Sequence, residues 1–170
     1  MTKRGFTTAL RKGRSERGQA LVEFALISIV FFLLIFGIFD MTRLFQSWTT
    51  VQHSARESAR YAITGQQVCA DHPEGNHRGD CLVIRAKAAT TGIPGGGRNS
   101  TDVTVEYRFW DYPLFAGSGA TGAGLPCDQI EVAVSYRHRF ATPLIAAILP
   151  DGVEITGRQR MTNEPFGTCS

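Results

Sequence analysis

The stretch Gly18-Gln19-Ala20-Leu21-Val22-Glu23-Phe24-Ala25-Leu26-Ile27-Ser28-Ile29-Val30-Phe31-Phe32-Leu33-Leu34-Ile35-Phe36-Gly37-Ile38-Phe39 decides how the rest of the chain is read. From Ala20 onward only Glu23, Ser28 and Gly37 depart from apolar character, and no charge interrupts Phe24 to Phe39. As a helix, Ala20 to Phe39 rises about 30 Å, the thickness of a bilayer's hydrocarbon core. A cleaved secretory signal has a shorter apolar region and small residues at its exit. Here the exit is Phe36-Gly37-Ile38-Phe39, and no cysteine follows at once to accept a lipid, so a permanent anchor is expected.

Charge on either side of the run sets its direction. Residues 1 to 17 carry Lys3, Arg4, Arg11, Lys12, Arg14 and Arg17 against Glu16 alone, a balance of +5, whereas residues 40 to 170 sum to -1 and Glu23 adds another -1. The overall +3 therefore belongs to the N-terminal tail. Basic residues stay on the cytoplasmic side of a span, which puts the N-terminus inside and residues 41 to 170 outside. A nucleic-acid-binding domain would carry a basic stripe in its folded part; none is visible, and no nucleic-acid partner is expected. At 170 residues with 43% hydrophobic and 19% charged residues, the chain is neither a disordered polypeptide nor a large multidomain enzyme.

Beyond the run, Leu44, Trp48, Val51, Ala55, Ala59 and Ala62 recur at steps of three and four. One long helix is expected from about Ala20 to Ile63, amphipathic in its outer half, with Gly65 as its stop. Residues 66 to 80 read as a polar loop, and Cys81 to Thr91 as a short second helix. Thr101 to Trp110 alternates Val103, Val105, Tyr107 and Phe109; Ile130, Val132, Val134, Tyr136 and His138 alternate again. A flexible Gly/Ala/Ser stretch from Ala116 to Gly124 separates these two strands, Thr142 to Leu149 is a short helix or loop, and Gly152 to Met161 is a third strand. The fold class expected is α+β: an antiparallel sheet with one apolar face, covered by the outer half of the long helix.

Four cysteines, Cys69, Cys81, Cys127 and Cys169, fall in the exported part, where disulfides form and persist. Three pairings exist; Cys69 with Cys81 and Cys127 with Cys169 are favoured, the first closing a short polar loop and the second tying down the C-terminus. Cys69, His72, His77 and Cys81 offer donors at spacings like a small zinc knuckle. Zinc needs both cysteines as thiolates, and the topology puts them where they oxidise, so no metal and no cofactor is assigned. Gly95-Gly96-Gly97 lacks the Lys-Ser or Lys-Thr of a phosphate loop and reads as a turn. Trp110, Tyr112 and Phe115 could form an adhesive patch, although burial is the commoner use of such residues. The histidines His53, His72, His77 and His138 sit beside no recognised serine or cysteine motif, and no catalysis is inferred.

An anchor, a following helix and a small sheet make a pilin-like layout. Gly18-Gln19-Ala20-Leu21-Val22-Glu23-Phe24-Ala25-Leu26, a glycine after a basic tail with a glutamate five residues later, resembles the processing site of type IV prepilins. With Glu-Phe-Ala it is similar to the TadE-like pseudopilins or minor pilins, and Ala55-Arg56-Glu57-Ser58-Ala59-Arg60-Tyr61-Ala62 resembles the Ala-Arg-rich helix end of that family. The resemblance implies cleavage by a prepilin peptidase between Gly18 and Gln19 on the cytoplasmic face of a bacterial inner membrane. It implies assembly with other pilin or pseudopilin subunits, and with the assembly platform of a Tad (Flp) pilus, through Glu23 and Phe24. The resulting organisation is a leader over 1–18, a transmembrane helix over 19–40, its amphipathic extension over 41–65 and an extracytoplasmic α+β domain over 66–170. Gln19 would be the first mature residue in place of the usual phenylalanine, and a terminal glutamine can cyclise and lose its charge. A different class of function, a single-pass ligand-binding or sensor domain, would keep its tail uncleaved, and a secreted metal-binding domain would be cut beyond Phe39.

Overall fold

The computed structural model describes residues 15–66, 69 and 77–169. The basic tail through residue 14 and His72 lie outside the described residues. In chain order the elements are helix α1 (Ser15–Ile63), helix α2 (Arg78–Ala89), strands β1 (Val103–Trp110), β2 (Ala120–Thr121) and β3 (Gln129–His138), helix α3 (Pro143–Ile148) and strand β4 (Val153–Thr162). The chain divides into two units, Met1–Phe39 and Asp40–Ser170. The described part of the first is the apolar beginning of α1, and the second is an α+β domain.

In the second unit the sheet order is β2-β1-β3-β4, antiparallel throughout, with Val105 opposite Val134 and Val134 opposite Gly157. Alternation along each strand places Val103, Ile130, Val132, Val134, Tyr136 and Ile155 on one buried face. The outer half of α1 contributes Val51, Ala55, Ala59 and Ala62 to this core, and α2 adds Leu82 and Ala86. Small side chains let the helices approach closely. At Gly157 an added Cβ would stand 2.8 Å from the backbone oxygen of Val51, so only glycine fits where α1 crosses β4. Gly65, at φ +70°, turns the chain out of α1, and the Glu164 amide donates to the Ile63 carbonyl left open at the helix end.

Four features differ from the sequence expectations. Helix α2 begins at Arg78, three residues inside the stretch read as loop. Its first turn is held there because the Arg78 guanidinium donates to the carbonyls of Ala123 and Gly124 and stacks on Phe166. The Gly/Ala/Ser stretch contains the two-residue strand β2, pairing Thr121 with Arg108 and Ala120 with Phe109. Trp48 lies off the buried stripe and is 48% exposed. Its expected place is taken by Ser47, Ser54 and Ser58, all fully buried. Each serine hides its hydroxyl by donating to a carbonyl: Ser47 to Arg43, Ser58 to Ser54, and Ser54 across to Ala86 of α2 at 2.7 Å.

Two cysteine pairs stand at bonding distance, Cys69 with Cys81 and Cys127 with Cys169, with Cα separations of 5.3 and 5.6 Å. Of the three aromatics weighed as a surface patch, Trp110 is buried, Phe115 half-buried and Tyr112 exposed. Trp110 donates to the Gly117 carbonyl at 2.9 Å and lies under the Arg160 guanidinium.

Candidate functional site

The first half of α1 is the candidate site, because it is the most apolar part of the molecule and none of its residues from Gly18 to Phe39 is buried. A helix that is hydrophobic all round finds its partners in lipid or in other helices. Among the described residues this is one helix long and apolar enough to cross a membrane. Its polar exceptions are handled differently. Ser28 donates to the Ala25 carbonyl one turn back at 2.9 Å, which removes its hydroxyl from competition. Gly37 has open space where a Cβ would be, so the fold of the chain itself does not require glycine there.

Among the described residues Glu23 has no such local solution, and its side chain stands exposed beside Phe24. Helical geometry puts Gln19 one turn before Glu23 on the same face, and Gly37, fourteen residues on, returns to within about 40° of it. Gly18 and Gln19 are both exposed within the first turns of α1. The carboxylate, the open glycine notch and the bond after Gly18 thus belong to one accessible helix.

Past Phe39 the character of the helix changes within one residue. Asp40 is 2% exposed, and its two carboxylate oxygens accept from the amides of Ala141 at 3.1 Å and Thr142 at 2.9 Å. About two turns further on, Ser47 Oγ lies 3.2 Å from Nδ1 of the buried His138. No reading of the sequence brought these residues together, since His138 is 91 positions from Ser47. Burial, with a smaller push from Arg43, holds the His138 imidazolium below its ordinary pKa, opposed by the negative charge of Asp40. Burial likewise raises Tyr136, with Asp102 adding to it, and lowers Arg78 against the attraction of Asp128.

Serine, histidine and aspartate in one cluster invite comparison with a hydrolase triad. The arrangement does not match one: the hydroxyl of Ser47 is fully buried and already donates to the Arg43 carbonyl, and Asp40 spends its oxygens on backbone amides. It fastens the β3–α3 connection to α1. Next to it, Met41, Phe45 and Trp48 stand exposed along one side of α1 and, with Val153 and Ile155 of β4, line an open apolar groove of about 450 Å³. His77 lies exposed at the start of α2, and the bonded Cys69 and Cys81 present no thiolates. Among the described residues, no three His, Cys, Asp or Glu side chains converge as a metal site.

With this geometry in hand, the comparison with known families bears on the helix alone. Residues 18–60 match the family model for TadE-like protein. The match begins at the glycine of the Gly18-Gln19 bond, runs through Glu23 and closes in the Ala-Arg-rich end of α1. Together with the apolar helix, it fits a membrane-anchored, pilin-like protein. No curated protein and no solved structure matches the chain.

Proposed function

We propose that this chain is a membrane-anchored pilin-like subunit of the TadE-like kind. A prepilin peptidase cuts it after Gly18, and it is assembled with other pilin or pseudopilin subunits through the first half of α1. The observation that carries this reading is Glu23, a single exposed carboxylate one turn inside an otherwise apolar helix that buries nothing of its own. A carboxylate at the centre of a membrane helix costs about 2.5–3.5 kcal/mol on insertion scales, and a position near the end costs less. Cleavage after Gly18 frees an amine at Gln19. In a neighbouring subunit that amine and Glu23 attract strongly away from water, and misalignment leaves an unpaired charge in lipid. One register of helix against helix is thereby selected. Phe24 lies beside Glu23 at this contact, and Gly37 leaves room for a close approach on the same side.

In this arrangement the N-terminal leader lies in the cytoplasm, the apolar run crosses the inner membrane and the sheet domain faces the oxidising outside, where both cysteine pairs are bonded. After cleavage, residues 19–170 carry a net charge of -2, so the strong positive bias that orients the precursor is gone from the assembled subunit. The pilus assembly platform and the lipid bilayer are the remaining partners. The test is Glu23→Ala in the intact chain. The expected result is normal membrane insertion and normal leader removal, with loss of the protein from sheared filaments and from subunit crosslinks. Wild-type incorporation of Glu23→Ala would remove the pairing role.

A further inference from the structure

Helix α3 (Pro143–Ile148) is apolar and bare. Residues 140–150 hold no charged side chain, yet none of the α3 residues is buried: Leu144 is 51% and Ile148 72% exposed. A short surface helix in water ordinarily turns its apolar side chains onto the core, and this one does not. The amides of Ala141 and Thr142, which lead into α3, are held by the carboxylate of Asp40, and Asp40 directly follows Phe39, the last residue of the apolar run. Six helical residues reach only about 9 Å, so α3 extends no further than that from the amides Asp40 holds. Where an apolar run of this length crosses a bilayer, the interfacial layer begins at its end, beyond a hydrocarbon core of about 30 Å. The charge of Asp40 is itself hidden, at 2% exposure, so the fastening presents no bare carboxylate to lipid. Phe45 and Trp48, exposed within the next turns of α1, are residue types that collect at such interfaces.

We propose that α3 is a second membrane contact, lying in the headgroup and acyl boundary of the outer leaflet with Leu144, Ile148 and Leu149 toward lipid. The occupant of this apolar surface is the bilayer itself. Amphipathic helices that lie in this layer bury their apolar face about 5–10 Å into the boundary, a depth the side chains of α3 can reach. This inference rests on the reading of Ala20 to Phe39 as a bilayer span, and the experiment separates the two.

The full chain with Trp48→Phe, which leaves buried Trp110 as a constant background, is reconstituted in phosphatidylcholine vesicles carrying bromine either near the headgroup end of the acyl chain or near its tail. Single tryptophans are added by Ile148→Trp, Leu144→Trp, Ile29→Trp within the run, and Leu114→Trp at a fully outward site that is 83% exposed. The expected result is strong loss of Ile148→Trp and Leu144→Trp fluorescence with the shallow bromines, loss for Ile29→Trp with the deep bromines, and no loss for Leu114→Trp. Quenching of Ile29→Trp without quenching of either α3 variant overturns the inference and leaves the span intact. A blue-shifted but unquenched α3 signal also overturns it, because protein and not lipid then covers the helix. Equal quenching of Leu114→Trp overturns it as well, since the domain then lies on the surface without preference. Failure of Ile29→Trp to quench removes the span reading, and the inference with it.

Discussion

The two halves of α1 invert the usual relation between hydrophobicity and burial. Gly18 to Phe39 is the most apolar segment in the chain and buries nothing, whereas Asp40 to Ile63 is rich in serine, arginine and glutamine and carries four core positions with no exposure at all: Val51, Ala55, Ala59 and Ala62. The second half has its partner within the chain, in β3, β4 and α2; the first half has none among the described residues, and we propose lipid and other subunits in that place. The change falls at Asp40, where a carboxylate closes off the domain by gripping the backbone ahead of α3. In the proposed reading one continuous helix serves two solvents, and the domain's stability and the subunit's assembly are then separable properties.

That separation can be broken from either side. The largest effect expected comes from removing residues 1–39 and exporting the remainder with an unrelated signal: the protein moves wholly from the membrane to the soluble fraction, while its thermal unfolding stays close to that of the detergent-solubilised parent. Loss of the cooperative transition would show that the domain depends on the anchor. Next is reduction of the disulfides, which close loops of 12 and 42 residues. Chain entropy alone gives about 3 and about 4 kcal/mol, read as a fall in denaturation midpoint on adding reductant. Assembly through α1 changes only where unfolding follows.

Asp40→Ala leaves two amides without their charged acceptor and should cost about 3 kcal/mol in denaturant unfolding, given about 1.5–3 kcal/mol for a hydrogen bond to a charged group. Membrane insertion should be untouched, since the change makes the end of the run less polar. Gly157→Ala pushes a methyl into the backbone of α1 and should destabilise the domain by about 1–3 kcal/mol, measured the same way. The smallest effect concerns His138. Its pKa is lowered in the folded state, so the unfolded chain binds the extra proton first. Stability is complete above the unfolded value near 6.5 and declines as pH falls from there through the lowered folded value. His138→Phe should flatten that part of a stability-against-pH curve.

Local pattern makes part of the molecule legible in the sequence. The apolar run, the long helix, α2 and the three main strands follow from it, because each presents a single apolar face or run. Strand β2 escaped because two residues carry no period, and the start of α2 because Arg78 is recruited by carbonyls 45 and 46 residues away. Serines at 47, 54 and 58 look polar in a sequence, but in a helix each can give its proton to a carbonyl and be buried. For the candidate site, the Gly18, Gln19 and Glu23 spacing was fully visible, being local. The Asp40, Ser47 and His138 cluster was not, because it is made by tertiary contact across about a hundred residues, with nothing in the local pattern to announce it.

The pairing proposed for Glu23 depends on the bond after Gly18, since only its cleavage provides the amine. Intact-mass and N-terminal peptide mass spectrometry of protein extracted from membranes and from sheared filaments reads that bond directly. The predicted result is a chain beginning at Gln19, in its free or cyclised form, with the free amine in the assembled fraction. A chain beginning at Met1 in material that assembles and functions normally would contradict it.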